Sequence, residues 1–520
     1  MKKEDILISR AANLSVADLF EIQAKNNPKL LAVQDVDGKK YLYRQTLNRV
    51  LKISKIFINK GVKPKDRIAI ISENRKEYLE IEMACAKIGA ILVAINWRLS
   101  DNEINYCINL VKPKLVILSL KFKNHKKLDS IKNKKLISLS TSFERQITSI
   151  KPYNGRSLGE GEDILVILFT SGTTGYPKGA KISHRAFISR ALYFAFEYNI
   201  DKYDTFPAWA PMFHMASTDL AIGSLLIGGS VAFIDGFNPR KITNLIKKYK
   251  LSWLVLMPGM LEEYIKFIED KNMNIKGIKA MGAMADLIPK NQIKNITKLL
   301  DTPYLNSFGS TETGMPPASK GFIAKNKNNF SLSKIQSSFC EVKLVKNNKE
   351  VGYETPGECA VRGPTLFSGY WKAEKTNIKD FKGGWFHMGD MMKRTREETF
   401  DFVDRKKYLI KSGGENIYPA EIERVILKHK DINEAVVVKI KSKKWGETPI
   451  AIISISNNDR QKIIIEELKK SCRKYLAGYK QPANILVIKE KDIPRSTTGK
   501  VQRHLVEKML KPVFNLEMVN

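Results

Sequence analysis

Short apolar runs alternate with longer amphipathic stretches along most of the chain. Residues 68–72 read as a strand, and the stretch after them, through Ile88, reads as a helix. Residues 115–119 read as another strand. Residues 164–169 form a continuous apolar run, followed by a loop of Gly, Thr and Ser and then a helical pattern from Ser183 to about Tyr198. A strand over 253–257 is closed by Pro258-Gly259, with a helix near 261–268. Continuous apolar strands separated by helices are the pattern of α/β layers whose strands are covered on both faces. The pattern shifts near Asp404. Beyond it, 421–428 and 462–475 read as helices, and 435–440, 450–455 and 485–488 as strands, enough for a small α+β domain with its own core. The chain is expected to divide into residues 1–403 and 404–520. The joint is placed at 404–411, whose many charges suit a solvent-exposed segment.

Composition narrows the class. At 520 residues the chain exceeds one typical domain. Its 43% hydrophobic and 27% charged residues exclude a collagen-like or mostly disordered chain. The longest apolar stretch, 220–234, is interrupted by Gly and Ser and falls short of the ~18–20 residues of a membrane span. Residues 1–10 lack the apolar run of a secretory signal, so a cytoplasmic location is expected. Five scattered cysteines without a C-x-x-C pair argue against a disulfide framework or a cysteine zinc site. Lys+Arg outnumber Asp+Glu 88 to 54, a net charge of +34. Such charge attracts nucleic acid, but the lysines are dispersed, densest at 121–127 and 132–135, and no helix-turn-helix, zinc finger or aromatic RNA-binding motif accompanies them. The excess is read as solvated surface, with attraction to small polyanions or to an anionic membrane surface as a narrower reading.

Four segments carry candidate chemistry. Thr170-Ser-Gly-Thr-Thr-Gly-Tyr-Pro-Lys-Gly179 follows a strand and is expected to precede a helix. Its glycines allow close backbone approach, and its amides and hydroxyls suit a phosphate. Lys178 is followed by Gly179, which excludes a Walker A loop. Asn306-Ser-Phe-Gly-Ser-Thr-Glu-Thr-Gly314 places Thr311 and Glu312 beside a glycine turn. Mg²⁺ bound with phosphates needs only one or two carboxylates, although a Thr-Glu pair alone is commonly a helix cap. Gly384-Trp-Phe-His-Met-Gly-Asp390 offers a carboxylate to ribose hydroxyls. Pro494-Arg-Ser-Thr-Thr-Gly-Lys500 offers a cation before a helical stretch over 501–510.

In order and spacing these segments resemble the adenylate-forming superfamily, which holds acyl-CoA synthetases, firefly-luciferase-like enzymes and peptide-synthetase adenylation domains. Ser368-Gly-Tyr-Trp371, Asp404-Arg405 and Ser412-Gly-Gly-Glu-Asn-Ile-Tyr-Pro-Ala-Glu-Ile-Glu423 extend the likeness, which runs from about residue 15 to about residue 510. The resemblance implies a large N-terminal AMP-binding domain over 1–403, with mixed and parallel sheets flanked by helices, and a small mobile α+β domain over 404–520. It implies ATP, Mg²⁺ and coenzyme A. A carboxylate attacks the α-phosphate of ATP to give acyl-adenylate and pyrophosphate, and a thiol then takes the acyl group and releases AMP.

Residue by residue, the resemblance implies that Thr170, Ser171, Gly172, Thr173, Thr174, Gly175 and Lys178 hold the departing phosphates. Thr311 and Glu312 contact the α-phosphate and the metal, and Phe308 stacks on adenine where relatives commonly have Tyr. Asp390 and Arg405 bind ribose, and Lys500 bridges the acyl carboxylate and phosphate. Lys407 is the hinge, and Gly413 and Gly414 line the pantetheine tunnel. His214, in Pro211-Met-Phe-His-Met215, lies near the substrate carboxylate. Trp209, Met212, Phe213, Met215 and Met284 are candidate lining residues, together with Met281, Gly282, Ala283 and Ser307. Met281-Gly-Ala-Met284 replaces a Gly-Gly-Ala-Pro-like loop, and Ser307 stands where many relatives have Gly, so the acyl pocket should differ from that of plant aryl-CoA ligases. Residues 95–99, Ile-Asn-Trp-Arg-Leu, resemble a segment of bacterial fatty-acyl-CoA ligases. A medium- or long-chain fatty acid is therefore the expected substrate. The alternatives are an aryl or short-chain acid, loading of a carrier protein, and, in another class, a basic nucleic-acid-binding protein. A monomer or homodimer with no more than weak peripheral membrane contact is expected.

Overall fold

The computed structural model describes residues 14–170, 177–256, 258–271, 277–286, 288–412, 415–443, 445–456, 458–495 and 501–514, together with Glu4, Ile8, Ala11 and Ala12. Two six-stranded sheets form the first layers. One runs, in spatial order, Lys135–Leu139, Leu115–Ser119, Arg67–Ile71, Ile91–Ala94, Ile164–Thr170 and Lys178–Ser183, parallel except for the last pair. The other runs Ile278–Met281, Leu251–Leu254, Thr205–Ala208, Ser230–Phe233, Leu31–Gln34 and Lys40–Leu42, again parallel except for its last pair. The central strands are buried along their whole length. This explains why they read as unbroken apolar runs.

The apolar stretch 220–234 divides into the end of helix Met215–Leu226 and strand Ser230–Phe233. Among the described residues no helix is long and apolar enough to cross a membrane. The expected strand over 253–257 occupies Leu251–Leu254, and Met257 lies outside the described residues.

Two expectations need correction. The loop after Ile164–Thr170 does not lead into a helix: strand Lys178–Ser183 intervenes, so the loop joins two antiparallel strands. Only then does Ser183 cap helix His184–Tyr198, its hydroxyl accepting the Ala186 N–H. The joint at 404–411 is also less solvated than its charges suggest. Lys406, Lys407 and Lys411 are exposed, but Asp404 is only 2% exposed and Ile410 is buried. The Asp404 carboxylate accepts the N–H groups of Arg405 (2.6 Å) and Ala420 (2.7 Å), the latter at the start of helix Pro419–Ile426. Burial pushes its pKa up to about 6, opposed by Arg503 nearby.

A five-stranded antiparallel sheet, not foreseen from the pattern, fills 341–405. Its order is Lys349–Glu350, Glu341–Lys346, Pro356–Arg362, Phe386–Arg394 and Phe400–Arg405. After it, strands Ile410–Ser412, Glu415–Ile417, Ile432–Ser442, Gly446–Ile455 and Asn484–Val487 form the last sheet. Alternate side chains of its two long strands pack to opposite faces. Val437, Ala451 and Ile453 join Ile422, Ile426, Ile464 and Leu468 of helices Pro419–Ile426 and Gln461–Tyr475. Val436, Val438, Ile450 and Ile452 join Val506 and Leu510 of helix Arg503–Phe514.

Helix Lys76–Ile88 is buried at every position, so its polar residues need internal partners. Glu80 receives a two-pronged contact from Arg49 (2.6 and 3.0 Å), and Lys76 pairs with Glu77. Glu82 accepts the Thr218 hydroxyl at 2.7 Å. Burial, with Asp219 adding to it, pushes the Glu82 pKa up to about 8 from 4.5. Folded Glu82 therefore holds a proton that the unfolded chain releases between those values, and its contribution to stability falls as pH rises through that window. Glu82→Gln removes this slope. The variant's melting temperature should gain on the wild type between pH 5 and pH 8; parallel profiles would refute the assignment.

Candidate functional site

The hairpin of Ile164–Thr170 and Lys178–Ser183 places Thr170 opposite Lys178. Ser171, Gly172, Thr173, Thr174 and Gly175, between them, lie outside the described residues. Residues 368–371 pair with the other edge of Lys178–Ser183. Lys181 N–H donates to Gly369 O (3.0 Å), Ser368 N–H to Lys181 O (2.8 Å) and Trp371 N–H to Gly179 O (2.8 Å). This pairing delivers Tyr370 to the middle of the site. Its hydroxyl donates to Glu312 Oε1 at 2.8 Å, and Lys178 Nζ lies 5.1 Å from its ring centre. Burial and the Glu312 charge push the Tyr370 pKa up, so the phenol stays a donor.

Thr311 and Glu312 occupy the turn between Gly309–Ser310 and Gly314–Pro317, and do not cap a helix. The Glu312 carbonyl accepts the Phe367 N–H at 2.8 Å, and Thr311 and Glu312 are half-buried. Asp390 and Arg405 face each other on adjacent strands, with Arg405 Nε 2.8 Å from Asp390 Oδ1. Asp390 raises the Arg405 pKa, with Tyr408 and Glu312 adding to the effect, so Arg405 and Glu312 lie within one electrostatic neighbourhood. The Phe308 ring is buried 5.7 Å from that of Phe402, and its N–H donates to Ser319 Oγ at 2.7 Å. Lys407 sits in a 3-10 turn, Lys406–Tyr408, with its ammonium 5.0 Å over the Tyr408 ring. Lys500, Gly413 and Gly414 lie outside the described residues. Arg503, three positions past Lys500, is buried against both carboxylate oxygens of Glu423 and lies 5.0 Å from the Tyr408 ring centre.

The remaining predicted residues gather at the ends of the second sheet's strands. Trp209 donates its indole N–H to Val255 O at 3.0 Å and packs edge-on to Phe237. His214 caps helix Met215–Leu226, its Nδ1 accepting the Ala216 N–H at 3.1 Å, so the neutral ring carries its proton on Nε2. Met212 and Phe213 are buried and Met215 is half-buried. Met281 ends a buried strand, and Gly282 follows with φ +121° against Tyr304. A Cβ on Gly282 would lie 2.7–2.8 Å from ring atoms of Tyr304. Ala283 N–H donates to the Tyr304 hydroxyl at 3.1 Å, and Ala285 N–H to Asn306 Oδ1 at 3.0 Å. Met284 and Ser307 are half-buried.

Three residues that matter here escaped the sequence reading. Tyr370 stands in Ser368-Gly-Tyr-Trp371 with nothing in the sequence to mark it apart from its neighbours. Buried Asn74 donates to Ala208 O (3.0 Å) and Ala210 O (2.7 Å) and accepts the Met212 N–H (2.9 Å), fixing the segment before His214. Arg190 lies in a helical pattern where a cation reads as solvated. Among the described residues no group of three or more His, Cys, Asp or Glu side chains could hold a metal. A single carboxylate, Glu312, fits a magnesium ion that is carried mainly by phosphate oxygens.

Residues 20–371 match the AMP-binding enzyme family, and residues 421–500 match the AMP-binding enzyme C-terminal domain. The 2-succinylbenzoate–CoA ligase of Geobacillus sp. (strain WCH70) is 28% identical over 93% of this chain and 95% of its own length. That of Oceanobacillus iheyensis is 29% identical over 93% and 97%. Among solved structures, Bacillus subtilis o-succinylbenzoate CoA synthetase with its acyl-adenylate intermediate superposes with a TM-score of 0.82 at 23% identity, covering 95% of this chain and 98% of that one. ATP-bound MatB from Rhodopseudomonas palustris gives 0.82 at 21%, covering 96% and 100%. These structural likenesses establish the fold.

Asn74→Ala strands the buried Met212 N–H, at a cost of about 1–3 kcal/mol, and removes one donor from Ala208 O and Ala210 O, which keep the Ile234 N–H and the Ser217 hydroxyl. A lower urea midpoint is expected; an unchanged midpoint would show that Asn74 does not brace this segment.

Proposed function

The chain belongs to the AMP-binding enzyme family, and on that premise we propose that it is an AMP-forming acid–thiol ligase. It joins a carboxylic acid to ATP as an acyl-adenylate and then to coenzyme A. The observation that carries the reading is the convergence of Lys178, Tyr370 and Glu312 with the Asp390–Arg405 pair, drawn from five segments of the chain.

In the first step a carboxylate oxygen of the acid forms a bond to the α-phosphorus, and the bond to pyrophosphate breaks. In the second, the thiol sulfur bonds to the acyl carbon, AMP leaves, and the thiol proton passes to solvent. The main obstacle is the meeting of two anions, so charge neutralisation and positioning supply much of the catalysis. Thr170 to Lys178 hold the departing phosphates. Thr311 and Glu312 face the α-phosphate, and Glu312 would hold Mg²⁺, which neutralises phosphate charge. Asp390 and Arg405 take the ribose, and Phe308 supplies an apolar face for adenine. His214 presents Nε2–H toward the acid carboxylate, and Lys500 bridges that carboxylate and the phosphate. Residues 404–520 turn about Lys407 between the steps, which brings Gly413 and Gly414 to the thiol channel.

For the acid, the fatty-acid expectation gives way to its aryl alternative. The relatives matched along nearly the whole chain carry the name 2-succinylbenzoate–CoA ligase. An aromatic acid bearing a second carboxylate is the proposed substrate, and Trp209, Met212, Phe213, Met215, Met281, Gly282, Ala283, Met284 and Ser307 are the proposed pocket.

The test incubates the protein with ATP, Mg²⁺, CoA and a panel of aryl, succinylaryl, short-chain and long-chain acids, with thioesters read by mass spectrometry. An aryl-CoA product is expected. A fatty-acyl-CoA would restore the first expectation, and adenylate without thioester would point to a carrier-protein acceptor. Lys500→Ala should abolish adenylate formation yet spare thioester synthesis from supplied acyl-adenylate; equal loss in both would remove its role. Lys407→Pro should impair the second step more than the first.

A further inference from the structure

The strongest unassigned feature is a buried ion pair behind the candidate site. Arg190 lies on helix His184–Tyr198 and is 4% exposed; Asp219 lies on helix Met215–Leu226 and is 6% exposed. Arg190 Nη1 donates to Asp219 Oδ2 at 2.9 Å. Its other donors do not go to side chains. Nη2 reaches Thr311 O at 3.1 Å, and Nε reaches Thr365 O at 3.0 Å. One guanidinium therefore joins three segments. The first is the helix whose first turn is capped by His214. The second is the turn that carries Thr311 and Glu312. The third is the segment whose continuation pairs with Lys178–Ser183 and delivers Tyr370 to Glu312.

The turn is shaped to receive this side chain. Gly314 has φ +75°, and a Cβ there would lie 2.8–3.0 Å from Nε, Cδ and Cγ of Arg190. The aliphatic stem of Arg190 thus occupies the space a side chain would need. Removing two opposite charges from water is costly, and the pair would be a poor choice if stability alone were at stake. A planar fork of five donors, in contrast, fixes direction as well as distance. Lysine, with one rotatable ammonium, has no such fork.

We infer that Arg190, oriented by Asp219, is a positioning residue that sets the Thr311–Glu312 turn, and with it the Glu312 carboxylate, in register for the metal-bound triphosphate. The inference rests on the proposed ATP-dependent reading, in which Glu312 faces Mg²⁺ and phosphate. Arg190 touches neither substrate nor metal and acts through the backbone carbonyls of Thr311 and Thr365.

The experiment uses the full chain and Arg190→Lys, which keeps the charge opposite Asp219 but loses the fork. Binding of Mg·ATP, and of ATP in EDTA, is measured by calorimetry without any acid, beside a melting curve. Arg190→Lys should fold and bind Mg·ATP about 10-fold more weakly, as loss of an outer partner does at metal sites, while ATP without metal, which has only the Thr311 contact to lose, weakens less. Wild-type Mg·ATP affinity in the folded variant would overturn the inference, as would equal weakening with and without metal. Asp219→Asn, which does not touch the turn, should shift the metal-dependent affinity in the same direction, and it decides the matter if Arg190→Lys fails to fold. A wild-type protein that does not bind Mg·ATP would instead overturn the ATP-dependent reading itself.

Discussion

Strand Lys178–Ser183 is rich in polar residues, and it lies at the margin of a largely parallel sheet. Left open, its outer edge would present unpaired N–H and C=O groups to solvent. Ile164–Thr170 pairs with one side of it, and residues 368–371 pair with the other. That second pairing spans nearly two hundred positions of sequence. It sets where Tyr370 emerges, and so which carboxylate the phenol meets. It also carries Phe367 to the Glu312 carbonyl. The relation between the Gly/Thr/Ser loop and the Thr-Glu turn thus depends on a few backbone hydrogen bonds between segments that share no element.

Buried ion pairs recur where such segments meet. Arg190 and Asp219 join two helices to the Thr-Glu turn. Lys334 pairs with Asp286 and reaches Asn306 Oδ1 at 3.3 Å, bracing the loop after Met284. Arg503 grips Glu423 beside the 404–411 joint. Desolvation makes each a weak source of net stability. Each is nevertheless directional, and removing one partner would strand the other. Placement at segment junctions makes these pairs devices for geometry more than for cohesion.

The layered α/β core was legible because its strands are continuous apolar runs with one interpretation. Residues 115–119 were read at their observed bounds for that reason. Lys178–Ser183 was not legible: Lys-Gly-Ala-Lys-Ile-Ser has little strand character, and its partners, not its composition, make it a strand. The sheet over 341–405 hid behind charge, since Glu and Lys interrupt the apolar residues of Glu341–Lys346: Val342 and Leu344 join the main core, and Val345 packs on the other face with Ala360 and Trp385. Lys178, Glu312, Asp390 and Arg405, which the structure brings into one neighbourhood, stand in segments that the sequence singles out. Their supports were not legible, because Asn74, Glu82 and Arg190 are polar residues whose burial comes from contacts far away in sequence. Asp404 misled for the same reason.

Gly282 has a consequence for any attempt to redesign the acid range of this protein. The Tyr304 ring fills the space beside it, and the positive φ rules out ordinary side chains. That point of the wall is fixed by what lies behind it and cannot be tuned from in front. In the proposed acid pocket, engineering freedom lies at the half-buried neighbours Ala283 and Met284. On the proposed pocket, a library at those two positions would explore its shape, whereas any side chain at Gly282 would meet the Tyr304 ring.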